Sequence, residues 1–472
     1  MADDLRTDLL DDPRADLGER CAVPPSPRLR QQLQDELAGL RRSASPMLAA
    51  RLQARERTRV GLNDGLNVPG SSLPLGAPAL VARRAARMRA PLRGSVRVLV
   101  VLAGSADAPI APATKARLQE LFFSTGVLEH GSVRDYFLDV SRGKVRITGQ
   151  VLGPVTLPRR MADYAGAENG LQLVGVNART MADDAVLALD AGLALDAYDN
   201  DGNGFVDAFV VVHSGRGAEE SGGPTDIWSH KWVLPRARRK GAVSVFGYLT
   251  IPEDAKLGVC AHELGHLVFG WPDLYDDDSS SRGIGDFCLM AGGSWGLGGL
   301  RPVHPSAWCK ASQGWVPVSA LTTNRTVTLA PVEDDGRIYR LWREGSRGDE
   351  YFLVENRRRL GYDASLPAQG LLLWHIDDAV EGNSDERHYQ VALVQADGKQ
   401  DLERNVNAGD AGDPMPGSKR VRLVDGTTTP STASYGGLHT CVALRGITSA
   451  GEDVRVGLRV RCARGAHAAP PP

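Results

Sequence analysis

His262-Glu263-Leu264-Gly265-His266 constrains this chain more than any other stretch. Two imidazoles four residues apart leave one face of an α-helix close enough together to grip a single zinc ion. Leu257, Ala261, Leu264 and Val268 recur at helical spacing, so the segment is expected to be a helix with an apolar stripe and both histidines on a neighbouring face. Glu263 directly follows the first histidine, where a carboxylate reaches an attacking water without occupying the metal. The competing reading, two structural histidines on an amphipathic helix, leaves that glutamate without a purpose.

Catalytic zinc usually takes three protein ligands, so a third must follow. Phe269-Gly270-Trp271-Pro272-Asp273-Leu274-Tyr275-Asp276-Asp277-Asp278 comes next. Gly270 suits a helix end and Pro272 prevents its resumption, which turns the acidic residues back toward the helix. Asp273 is the first choice, with Asp276 and Asp277 as rivals; a helix-capping or calcium-binding acidic loop is the alternative for each.

The 472 residues allow two or three domains, and 42% hydrophobic with 24% charged residues is ordinary for a globular protein. A net charge of -2 with interspersed signs points to no nucleic-acid partner and no anionic membrane surface. No apolar run approaches the roughly eighteen residues of a membrane span. The first twenty residues are acidic where a secretory signal is basic and then apolar, so no signal peptide is visible. Six cysteines are too few for a disulfide scaffold, although Cys441 and Cys462 sit in neighbouring strand-like runs and could pair.

Residues 1–93 read as an appended N-terminal region, helical across Pro27 to Leu52 and then a Gly, Pro, Ser and Asn-punctuated linker. Residues 94–321 are expected to hold the catalytic domain. It opens on the β-branched run SVRVLVVLAG at 95–104, continues with KVRITGQVLGPVTL and a helical pattern over 169–194, and reaches a second buried-strand run at 208–215. Residues 322–462 alternate in short runs, which predicts a β-rich, sandwich-like domain, and 463–472 read as a tail.

Asp199-Asn200-Asp201-Gly202-Asn203-Gly204-Phe205-Val206-Asp207 places side-chain oxygens at alternate positions around glycines. Asp199, Asp201, Asn203 and Asp207, with the Phe205 carbonyl, suit a structural calcium ion; an empty Asx-rich turn is the alternative. The twelfth position, Val210, rules out a complete EF-hand. Asp397, Asp410 and Asp413 give a fainter signal of the same kind. Cys21 precedes the catalytic region, and a thiolate there could fill the position water needs, a cysteine-switch form of latency; an ordinary surface or weakly packed cysteine is the other reading. His213, His230 and Tyr275 are candidate oxyanion donors outside the catalytic set.

Together, HELGH, GWPDLYD, GIGDFCLMAGGSW, HPSAWCKASQGW and EYFLVENRRR resemble the immune inhibitor A-type metallopeptidases over roughly residues 94–460. The resemblance implies an α+β fold, a zincin-type catalytic domain of mixed sheet plus active-site helix, followed by a β-rich region. It also implies zinc-dependent hydrolysis of protein or peptide substrates, export and a latent precursor. Met290 resembles the methionine turn of metzincin-like sites, where a methionine supplies an apolar floor. In one departure, three residues rather than two separate His266 from Gly270; counting from Gly270 still favours Asp273. The alternative from another class is a catalytically silent zincin scaffold, a calcium-binding or adhesive surface protein, against which the intact Glu263 argues.

Overall fold

The computed structural model describes residues 21–43 and 91–462, and these divide into two compact units. One comprises 21–43, 91–138 and 143–272; the other comprises 139–142 and 273–462. The rest of the helical pattern to Leu52, the linker and the tail lie outside the described residues.

Six strands build the sheet of the first unit: β1 (Cys21–Ala22), β2 (Gly94–Ser105), β3 (Val145–Leu157), β4 (Phe209–His213), β5 (His230–Lys240) and β6 (Val243–Pro252). Their order is β1-β5-β6-β4-β2-β3. Pairs β2–β3, β2–β4 and β4–β6 are parallel, whereas β5–β6 and β1–β5 are antiparallel. Val98 to Ala103 of β2 are 0% exposed without alternation, as expected for a central parallel strand covered on both faces. Burial of each such Val or Leu stabilises by about 1.5–3 kcal/mol.

The helices are α1 (Pro27–Ser43), α2 (Pro112–Phe123), α3 (Val133–Val140), α4 (Met161–Ala165), α5 (Ala178–Ala188), α6 (Ala218–Ser221) and α7 (Leu257–Phe269). The last two residues of α3 fall to the second unit. One sheet face packs on α4 and α5, with Tyr164, Met181, Ala185, Val101, Phe209, Val211 and Tyr248 in a single core. The helical pattern read over 169–194 is narrower in the structure, because Asn177 caps α5 through its side-chain oxygen on Thr180 N–H at 3.1 Å. The β5–β6 hairpin went unread in the sequence, although VSVFGYLTI alternates and Gly241-Ala242 closes a two-residue turn.

The second unit contains α8 (Ala307–Ser312) and nine short strands. They are β7 (Val318–Ala320), β8 (Arg325–Leu329), β9 (Ile338–Leu341), β10 (Glu350–Arg357), β11 (Gly370–Asp377), β12 (Val391–Leu393), β13 (Leu423–Val424), β14 (Ala443–Ala450) and β15 (Asp453–Arg459). They form sheets ordered β12-β11-β10-β9-β7 and β13-β14-β15-β8. Leu341, Phe352, Val354 and Leu373 from one sheet share a core with Val327, Leu444, Val456 and Leu458 from the other. Cys441 and Cys462 are joined by a disulfide.

A buried ionic network ties the second unit's polypeptide together. Arg357 Nε and Nη2 each lie 2.5 Å from a carboxylate oxygen of Asp363, and Nη1 donates to the Phe287 carbonyl at 3.3 Å. Lys310 Nζ meets Glu355 at 3.1 Å, and the Trp374 indole donates to the other Glu355 oxygen at 3.1 Å. Three of the sequence motifs, around Phe287, Lys310 and Arg357, thus meet at one set of paired charges. Their burial demands that pairing.

Candidate metal centre

Every residue of α7 is buried, so the expected one-sided stripe is instead a helix enclosed all round. His262 Nε2 and His266 Nε2 lie 3.0 Å apart, and both residues are 0% exposed. Two nitrogens each about 2.0–2.1 Å from one tetrahedral zinc ion stand about 3.3–3.4 Å apart, so the pair comes within a few tenths of an ångström of the spacing a shared metal needs.

The tautomer of His266 follows from its other nitrogen. Nδ1 lies 2.6 Å from the Trp271 carbonyl oxygen, which can only accept, so Nδ1 carries the proton and Nε2 presents a lone pair. That carbonyl is aimed by the helix end. Gly270 adopts φ 65°, ψ 27°, a left-handed conformation that glycine takes without a Cβ penalty. Its N–H bonds the His266 carbonyl at 3.0 Å, and Trp271 N–H bonds that of Gly265 at 3.1 Å. Phe269 packs on Trp271 and on Phe137, with ring centroids 5.0 and 5.1 Å away.

Asp273 follows Pro272 at once, and it is 5% exposed. Ligand atoms of Cys21, His266 and Asp273 all lie within 4.8 Å of one another; His262 is not of that group and reaches it through His266. The rivals behave differently. Asp276 accepts from Ser281 N–H at 2.8 Å, Ser280 Oγ at 2.9 Å and Asp278 N–H at 3.1 Å, which makes it the cap of its own turn, and burial pushes its carboxyl up to about 6. Asp277 is not in the cluster with Cys21 and His266. Glu263, next to His262, is fully buried. Met290 is also buried, and its carbonyl accepts the Leu274 N–H at 2.8 Å, tying it to the turn after Asp273.

Cys21 is 0% exposed and lies in β1, so it is no surface residue. Its strand register pairs it with Lys231, itself fully buried, and Lys231 with Leu249. Cross-strand partners share a sheet face, so these three side chains lie on one side. His230 lies on the other, with Nδ1 on the Trp228 carbonyl at 2.7 Å and Nε2 on Tyr248 Oη at 2.9 Å. His213 points Nδ1 to the Ser214 carbonyl at 3.0 Å, and burial drives its imidazole down to about 4, hence neutral. Neither histidine joins the cluster. Lys231 and the Trp271 carbonyl were missed from sequence; a lysine inside the His230–Val233 run was the available signal for the first.

This region of the chain, residues 114–319, matches the immune inhibitor A peptidase M6 catalytic domain. Over these residues the chain is similar to the immune inhibitor A-type metallopeptidases. It is 31% identical over 252 residues to the pre-pro-metalloprotease PrtV of Vibrio cholerae, an alignment covering 44% of this chain and 27% of that protein. It is 34% identical over 205 residues to immune inhibitor A of Bacillus thuringiensis subsp. alesti, covering 36% of this chain and 30% of that protein. The alignments thus take in under a third of either relative. Within this family the matched segment is a metallopeptidase domain, and α7 with its histidine pair lies inside it.

Away from that centre, Asp199, Asp201 and Asp207 gather within 4.8 Å. Asp199 accepts Asn203 N–H at 3.0 Å and Gly204 N–H at 2.8 Å, and Asn203 Oδ1 accepts Phe205 N–H at 2.8 Å. Asn200 docks the loop on β2 by bonds of 2.7 and 3.1 Å to the Arg97 N–H and carbonyl. The fainter group differs: Asp397 is paired with Lys399 at 2.7 Å, and Asp413 accepts the Asp410 N–H at 2.7 Å.

Proposed function

We propose that this chain is a zinc-dependent endopeptidase acting on protein or peptide substrates. The observation that carries the reading is the 3.0 Å approach of the two Nε2 atoms, with His266 Nδ1 held by the Trp271 carbonyl. His262, His266 and Asp273 would hold the metal, a nitrogen and carboxylate donor set that suits zinc. Zinc, when bound, acidifies water toward a pKa of about 7 and polarises the scissile carbonyl. Glu263 takes a proton from the attacking water and returns it to the leaving nitrogen. Full burial of Glu263, His262 and His266 keeps the proton transfer among these groups.

The catalytic module is assigned to 94–321 as a zincin-type domain, and 322–462 to a β-sandwich. Inward side chains of the two sheets in one core support the second assignment. Residues 1–93 fit an appended regulatory region, and export fits the family resemblance; no described helix is long and apolar enough to cross a membrane. Calcium at Asp199, Asp201 and Asp207, with Asn203 and the Phe205 carbonyl, is supported by the gathering of the three carboxylates.

The test is zinc content together with cleavage of an unfolded protein, for wild type and Glu263→Ala, each with and without chelator. Cleavage by wild type alone, abolished by chelator, with one zinc bound in both proteins is the expected result. Zinc bound without cleavage in wild type, even after removal of residues 1–93, would instead indicate the silent scaffold.

A further inference from the structure

We propose that Cys21 is a fourth, displaceable ligand of the metal centre, and that the segment bearing it holds the enzyme latent. This rests on the zinc-peptidase reading above. Two imidazoles, a carboxylate and a thiolate would supply the four donors that zinc commonly takes and leave no position for water. The Sγ of Cys21 belongs to the same cluster as His266 and Asp273, all within 4.8 Å, and His262 Nε2 lies 3.0 Å from that of His266.

The chain that follows Cys21 is docked over several residues. Strand β1 pairs with β5 in the register Cys21↔Lys231 and Ala22↔His230, which points the Cys21 side chain away from the His230 face. Val23 N–H then bonds the Ser229 carbonyl at 3.2 Å, and the Trp228 indole donates to the Val23 carbonyl at 2.7 Å. Ser26 N–H bonds the Glu219 carbonyl at 2.7 Å, while Ser26 Oγ caps α1 through Leu29 N–H at 3.2 Å. Leu29, 3% exposed, seats against Gly222 so closely that a Cβ there would lie 2.8 Å from its methyl.

Strand β1 is the terminal strand of its sheet, so it covers the edge of β5. Extended peptides bind sheets by adding a strand at such an edge. One short segment therefore fills both the open ligand position and an edge that an extended substrate could use. When the latch closes, the thiol gives its proton to solvent and a sulfur–metal bond forms. When it opens, that bond breaks, water takes the vacated position and the thiolate regains a proton. No oxidant is required.

The full chain is loaded with cobalt(II) in place of zinc, because thiolate–cobalt bonds absorb in the near ultraviolet and imidazole or carboxylate bonds do not. Wild type is expected to bind one cobalt and show this band. Cys21→Ala and Cys21→Ser are expected to bind one cobalt without it, and their zinc forms to cleave protein at least tenfold faster than wild type. Alkylation of Cys21 by iodoacetamide, followed by peptide mass, should be at least tenfold slower with metal than without. A wild type that binds one cobalt and lacks the band overturns the ligand, as does a band that survives in both variants. Loss of the band with no gain in cleavage overturns latency. Absence of cobalt from wild type and variants alike overturns the zinc reading itself, and the latch with it.

Discussion

The Trp271 carbonyl oxygen lies 2.6 Å from Nδ1 of His266, five residues back in the chain, and so decides that the other nitrogen of that imidazole presents its lone pair toward His262. The residue that aims the carbonyl is Gly270, in its left-handed conformation. A single backbone position thereby links helix termination to ligand chemistry.

Gly270→Ala should cost about 1–2 kcal/mol in backbone strain. It should also weaken zinc binding by about 10–100-fold through the displaced Trp271 carbonyl, the range usual for a lost orienting partner. Competition against a chromophoric chelator measures this, and an unchanged affinity would show that His266 is oriented by packing alone.

Glu219 gives the docked N-terminal segment a pH dependence. Its carboxyl is fully buried and accepts Ser229 N–H and Oγ at 3.0 and 2.7 Å, and burial, helped by Asp254, raises it from 4.5 to about 7. The folded state therefore holds this proton where the unfolded state has lost it. The stabilisation is fully present below about 4.5 and is lost as pH rises toward 7. Glu219→Gln should flatten the fall in thermal midpoint between pH 5 and 7, as read by calorimetry; a slope equal to that of wild type would assign the dependence elsewhere.

Arg357→Met should destabilise the second unit by about 3–5 kcal/mol, since Asp363 and Glu355 would stay buried without their guanidinium. Arg357→Lys should recover little, because an ammonium cannot make both 2.5 Å contacts to Asp363. Denaturant midpoints of the two variants test this. A midpoint for Arg357→Met within about 0.5 kcal/mol of wild type would mean that the network is dispensable.

Calcium at a hundred times its dissociation constant should stabilise the folded chain by about 2.7 kcal/mol. Asp201→Ala should remove that gain while leaving zinc content intact, because the Asp199–Asp207 loop is separate from α7. A thermal midpoint indifferent to millimolar calcium would leave the loop as a hydrogen-bonded turn.

The HELGH helix, its termination at Gly270 and the strand at 95–104 were legible because each follows from residues within a few positions of one another. Helical periodicity places two histidines on one face, and a left-handed end favours glycine, whatever the surroundings. The preference for Asp273 over Asp276 rested on counting from Gly270, and the structure adds that Asp276 is taken up by its own turn. The motifs around Phe287, Lys310 and Arg357 could be seen as motifs, but not as one ionic network.

By itself, then, the sequence determined a helix with two histidines on one face, an acidic residue just past its end and a chain of alternating strands behind them. Only the tertiary structure decided that Cys21 belongs beside His266, that His230 turns to the opposite face, and that Lys231 is buried across from the cysteine. The reason is physical: strand pairing joins segments far apart in the chain. A shift of one residue in the β1–β5 register would send Cys21 to the other side of the sheet, and no local pattern in the sequence records that choice.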